Sequence, residues 1–119
     1  MRDFHGLKVW ARAHQLELDV YRSTRTFPKD ELYGLTSQMR RSAASICANI
    51  AEGCGRRSAV DFARFLDNAM GSASELEHHV LLGADLSLLD PATHVALNSA
   101  VIEVKRMLAG LLRTLRAES

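Results

Sequence analysis

Apolar residues recur every three or four positions through four separate stretches of this chain, and little interrupts them. That spacing places side chains on one face of an α-helix. The first stretch runs from about Leu7 to Thr24. Its stripe is Leu7, Trp10, Ala13 with His14, Glu17 with Leu18, and Tyr21, with Leu16 and Val20 beside it. The second starts near Gly34 and ends at Glu52 or Gly53, with Leu35, Met39, Ser42 with Ala43, Ile46 and Ile50 in line. The third follows Ser58 with Phe62, Phe65 with Leu66, Ala69, Ala73, Leu76, Val80 and Ala84. The fourth follows Asp90-Pro91 with Val95, Asn98, Val101 with Ile102, Lys105, Leu108, Leu111 with Leu112, and Leu115.

The residues between the stripes are helix starts and stops. Phe27-Pro28 ends the first helix, because a residue before proline is pushed out of the α region. Pro28-Lys29-Asp30-Glu31 then resembles a helix opening with acids in its first turn, which Tyr33-Gly34 interrupts. Gly53 and Gly55 are expected to supply a left-handed cap. Ser58 with Asp61 three residues later is a capping box. Asp90-Pro91 joins a carboxylate cap to a proline where no amide donor is needed. The small residues Ser42-Ala43-Ala44-Ser45 and the mid-helix Gly71 predict a close crossing of the second and third helices. Four helices on short connections give an all-α, antiparallel, up-down-up-down four-helix bundle, with residues 1–119 forming one domain.

Composition narrows the function classes. The net charge is +1, so no global basic excess drives the chain to nucleic acid. Most Lys and Arg precede Phe65, which leaves room for a basic face. Cys47 and Cys54 lie seven residues apart, about two helical turns or roughly 10 Å. A disulfide needs Cα atoms within about 7 Å. The pair therefore reads as reduced and buried, which fits a cytoplasmic protein. No apolar run approaches the roughly 20 residues that span a bilayer, and the first residues lack the apolar stretch of a signal peptide. No membrane role is expected.

Chemistry-bearing motifs are sparse. Glu75-x-x-His78 has the spacing of di-iron bundles, but no second copy accompanies it. The adjacent His78 and His79 point about 100° apart on a helix. His5, His14 and His94 read as isolated, and neither cysteine has a Cys-x-x-Cys partner. No phosphate-binding glycine loop or nucleophile elbow is present. The expectation is a non-enzyme without metal or cofactor.

One run is familiar. Arg40-Arg41-Ser42-Ala43-Ala44-Ser45-Ile46, followed by Asn49-Ile50-Ala51-Glu52-Gly53, resembles the four-helix-bundle family of 23S rRNA intervening-sequence proteins. Leu7-Lys8-Val9-Trp10, Phe27-Pro28, Gly34-Leu35 with Gln38, Phe65-Leu66, Gly71-Ser72 and Glu75-Leu76-Glu77 extend the likeness from about Leu7 to Leu89. The resemblance implies the bundle fold and a homo-oligomer, a pentameric ring. Some family members are encoded within sequences interrupting ribosomal RNA genes. A related group serves diversity-generating retroelements, contacting nucleic acid and a reverse transcriptase. Those accessory proteins are strongly basic, whereas this chain carries only +1.

Arg40, Arg41, Arg56 and Arg57, with Lys8, Arg12 and Arg64 as neighbours, are the candidate contacts to RNA or DNA. Guanidinium groups pair with phosphate oxygens and release counterions. The competing reading is ion-paired helix surface, Arg41 with Glu52 and Arg64 with Asp61 or Asp67, which the small net charge favours. Asn49 and Glu52, on a mostly apolar helix, read as a structural polar pair fixing helix register or an intersubunit hydrogen bond. Trp10, Phe62 and Phe65 read as core. Leu16, Val20, Leu97 and Val104 exceed the roughly three apolar positions per seven that a bundle helix needs. They are therefore read as surface for self-association. The overall expectation is a self-assembling bundle that binds nucleic acid or a protein partner.

Overall fold

Each stripe folds as a helix. The computed structural model describes residues 2–118. Helix α1 spans Lys8–Ser23, α2 Ser37–Cys54, α3 Ala59–Asp85 and α4 Pro91–Glu118. A 3-10 turn at Phe4–Gly6 precedes α1. A second 3-10 turn, Lys29–Glu31, and a π turn, Leu32–Thr36, lead into α2. The chain kinks at Gly34 (φ −104°, ψ −115°), where the sequence predicted an interruption. No strand occurs among the described residues. Each helix packs on its neighbours in order, and α4 closes against α1. The result is an antiparallel four-helix bundle 46 × 22 × 20 Å in extent.

The caps account for where α3 and α4 begin. Ser58 Oγ accepts from the Asp61 amide at 3.0 Å, and Asp90 Oδ1 accepts from the Thr93 amide at 2.8 Å. Both satisfy amides that the helix itself leaves unpaired. The glycine caps differ from expectation. No glycine has positive φ, and Gly55 closes α2 in a right-handed conformation. The left-handed residue is Ser87 (φ 59°), just past α3. There the Leu88 amide returns to the Gly83 carbonyl at 2.9 Å. Gly53 instead lies inside α2, where a Cβ would stand 2.8 Å from Phe62 Cδ1 and 3.0 Å from Phe65 Cβ. Gly71 does not mark the close crossing, since a Cβ there meets nothing within 4 Å.

The core corrects the register of two stripes. In α1 the buried residues are Val9, Ala13, Leu16 and Val20, while Leu18 and Tyr21 are exposed. In α4 they are Leu97, Ala100, Val101, Val104, Leu108, Leu112 and Leu115, while Val95 is exposed. Two stripes at helical spacing competed on α1. The one carrying His14 and Glu17 would have buried polar groups at a cost, so the purely aliphatic one faces inward. Leu16, Val20, Leu97 and Val104 are thus the bundle's own core and supply no surplus for self-association. The stripes of α2 and α3 match closely, with Met39, Ile46, Ile50, Leu66, Leu76 and Val80 fully buried.

Candidate functional site

Antiparallel packing gathers α1's start, α2's end, α3's start and α4's end at one pole of the bundle. The Arg2 amide ties the chain start there by donating to the Cys54 carbonyl at 2.8 Å. Arg2, Arg56 and Arg57 line a depression of about 130 Å³ with Ser58, Phe62 and Leu115. The Arg2 guanidinium lies over the Phe62 ring at 5.3 Å, and those of Arg56 and Arg64 over Phe65 at 4.6 and 5.1 Å. Carboxylates accompany most of these cations: Arg2 with Glu118 at 4.0 Å, Arg56 with Glu52 at 2.9 Å, Arg64 with Asp61 at 3.6 Å and Arg116 with Asp67 at 2.6 Å. Arg57 has no ion-pair partner among the described residues, and it stands just ahead of the positive end of α3.

The candidate contacts do not form one patch. Arg40 sits about 20 Å along α2 from this pole. Its Nε donates to Thr24 Oγ1 at 2.9 Å, an Nη donates to the Tyr21 carbonyl at 3.3 Å, and its guanidinium covers the Tyr21 ring at 4.8 Å. It fastens α2 to the end of α1. Arg12 pairs with Glu103 and joins α1 to α4. Lys8 is exposed on the first turn of α1. Arg41 is exposed on α2, away from Glu52, which pairs with Arg56 instead. The sequence reading missed Arg2, whose place at the pole depends on how the first residues fold back.

Arg41 borders a second feature, an open groove of about 580 Å³ between α2 and α3. Its floor is Ser42, Ala44, Ser45, Ala48 and Ser72, and its rim carries Gln38, Arg41 and Glu75. Here the helices do approach closely, as the small-residue run predicted: Ser45 and Ser72 hydroxyls meet at 2.8 Å. Asn49 belongs to the same polar line, its Nδ2 donating to the Ser45 carbonyl at 2.9 Å and hydroxyl at 3.1 Å. Asn49 and Glu52 do not form the buried pair expected, since Glu52 is exposed.

The histidines fall differently from their sequence spacing. Glu75 meets His79 Nε2 at 3.3 Å, one position beyond His78. His78 lines a separate depression with His94 and Asn98. His14 is not isolated: its Nδ1 lies 3.0 Å from Glu17 Oε1. Across the α1–α2 contact, Cys47 completes a group whose donor atoms all lie within 4.8 Å of one another. Burial pushes the Cys47 thiol up to about 12, and the neighbouring Glu17 charge adds to the shift. Cys54 is raised by burial as well. Both cysteines are free and buried. Of the expected core aromatics, Phe62 is buried, while Phe65 and Trp10 are half-buried.

The fold places the chain in the class of antiparallel four-helix bundles, with an arginine-bearing pole and a small-residue groove as its surface features. Within that class, residues 5–110 match the model of the 23S rRNA-intervening sequence protein family, and the chain belongs to that family. A crystal structure at 1.70 Å of a protein with unknown function from the S23 ribosomal protein family of Bacteroides thetaiotaomicron is similar in fold. Its TM-score is 0.79 at 21% identity, covering 87% of this chain and 97% of that one. No curated protein matches the chain. No helix among the described residues is long and apolar enough to cross a membrane.

Proposed function

We propose that this protein is a non-enzymatic assembly unit that associates with copies of itself through the α2–α3 groove. The observation that carries this reading is the groove's composition. Small side chains on its floor permit a close approach by another helix, and Arg41 and Glu75 on its rim supply charges of both signs. When the groove of one copy receives a different surface of the next, repetition of that head-to-tail contact closes a ring. Sedimentation equilibrium tests this directly. A mass several times that of the chain, reduced to the monomer by Ala48→Arg, is the expected result. A monomer at every concentration would contradict the reading.

A second reading, contact with nucleic acid, is favoured by Arg57. This arginine has no ion-pair partner among the described residues and stands at the α3 start beside Arg2 and Arg56. Each neutralised phosphate contributes a salt-dependent increment to affinity. Copies in a ring would multiply a weak single site. The assay is fluorescence anisotropy with labelled structured RNA across a salt series. Steep weakening with salt, lessened in Arg56→Ala/Arg57→Ala, is expected. Absence of binding at low salt returns this pole to ordinary surface and leaves a protein as the partner.

A further inference from the structure

The group formed by His14, Glu17 and Cys47 takes no part in the groove or the basic pole. It brings an imidazole, a carboxylate and a thiol from two helices to one place. We propose that these three residues bind a divalent transition metal, with zinc the fitting ion.

The donor set argues for the metal class. Mixed sulfur, nitrogen and oxygen donors suit zinc, whereas calcium and magnesium take oxygen alone. Ligand bonds of about 2.0–2.3 Å at tetrahedral angles separate neighbouring donors by roughly 3.3–3.7 Å. His14 Nδ1 and Glu17 Oε1 are 3.0 Å apart, already close to that spacing. No pair of donors exceeds 4.8 Å, so side-chain rotation of about 1 Å closes the set without moving either helix.

The surroundings fit as well. His14 and Glu17 stand three residues apart on α1, so one helix turn presents both on the same face. The Trp10 ring stacks on His14 at 4.9 Å and 10°, fixing the imidazole plane. Cys47 is buried, while the His14 side chain is 43% exposed and that of Glu17 20% exposed. Metal can therefore enter from the α1 side, and water can take the fourth position. The Cys47 thiol and the His14 imidazole stand beside one carboxylate, that of Glu17. A divalent cation replaces the thiol proton and compensates two negative ligands.

The alternative is a hydrogen-bonded trio with no metal function, and it makes opposite predictions. The test uses the full chain stripped with chelator and titrated with cobalt(II). Binding of one cobalt per chain should give a thiolate-to-cobalt charge-transfer absorption, which zinc then removes. Cys47→Ser should abolish that absorption, and His14→Ala should weaken binding roughly tenfold or more. Cys54→Ser should leave both unchanged. Zinc a hundredfold above its Kd should raise the Tm by roughly 10 °C. If Cys47→Ser does not fold, the half-exposed His14→Ala carries the test. Absence of charge transfer, binding that survives His14→Ala unchanged, or dependence on Cys54 would each overturn the site.

Discussion

Two glycines of this bundle should respond in opposite directions to one substitution. Gly71 lies within α3, exposed, with nothing within 4 Å of the position a Cβ would occupy. Alanine there gains helix propensity of about 1 kcal/mol and meets no obstacle. Gly53 lies in the last turn of α2, where the propensity gain is smaller. Its added Cβ would meet Phe62 Cδ1 at 2.8 Å and Phe65 Cβ at 3.0 Å. The second of these atoms is anchored directly to the α3 backbone and cannot swing aside. Such overpacking costs about 1–3 kcal/mol. Gly71→Ala should therefore stabilise by about 0.8 kcal/mol, and Gly53→Ala should destabilise by about 1–2 kcal/mol net. At about 4 °C per kcal/mol the two variants separate by roughly 10 °C in Tm. Urea unfolding followed by circular dichroism measures the difference, provided the slope m stays constant. Running each variant at two protein concentrations separates a folding effect from an assembly effect at the exposed Gly71 face. If Gly53→Ala is as stable as Gly71→Ala, the α2–α3 contact is looser than this packing and the reasoning fails.

The register of α1 gives a sharper contrast. Leu16→Ala should cost about 2–5 kcal/mol, because the side chain is fully buried, whereas Leu18→Ala should cost well under 1 kcal/mol. Equal losses in denaturation midpoint would refute the register described. Ser87→Gly should stabilise by about 1 kcal/mol, since serine at φ 59° carries the left-handed penalty that glycine escapes; a drop in Tm would contradict it. The Cys47 thiol is raised in the fold, so its contribution is fully present below its ordinary value. It is lost as pH rises from 9.0 towards about 12. Metal-free protein should lose stability as pH rises from about 9 towards about 12, and Cys47→Ala should flatten that slope. Asp90 runs the other way. Its carboxyl is held low by the Thr93 amide, so its contribution is present above the usual carboxylate value and lost on acidification. Asp90→Asn should shallow the acid limb of the stability curve.

The fold was legible because helix boundaries are local. Ser58, Asp90 and Pro91 start helices by hydrogen bonds or a fixed φ within their own turn. The register of α1 and α4 was not, because two faces on each helix had suitable spacing. Choosing between them depends on which polar groups the other helices can accept. The glycine caps failed for the same reason. Gly53 is required by Phe62 and Phe65 on another helix, which no local pattern reveals. The candidate sites show this most clearly. The spacing of His14 and Glu17 was visible on one helix, but Cys47 reaches them only through the α1–α2 contact. The arginines were visible as a composition bias and Arg64 with Asp61 as a helical spacing, whereas Arg2 meets Glu118 and Arg116 meets Asp67 only through packing.

Those carboxylates bear on how a nearly neutral chain could meet nucleic acid. An exposed ion pair contributes only about 0–1 kcal/mol, so pairing does not lock the guanidinium groups of Arg56 and Arg64 away. It does cancel their field at a distance, which removes long-range steering and leaves contact as the means of recognition. Their positions over Phe65 matter more for such a surface. A guanidinium held over an aromatic ring loses less rotamer freedom when it engages a phosphate than one on a bare helix. Arg40 and Arg12 differ, because their hydrogen bonds join helices and breaking them would loosen the bundle itself. An affinity that survives Arg40→Ala in folded protein but falls with Arg57→Ala would assign recognition to the pole where α2 ends and α3 begins.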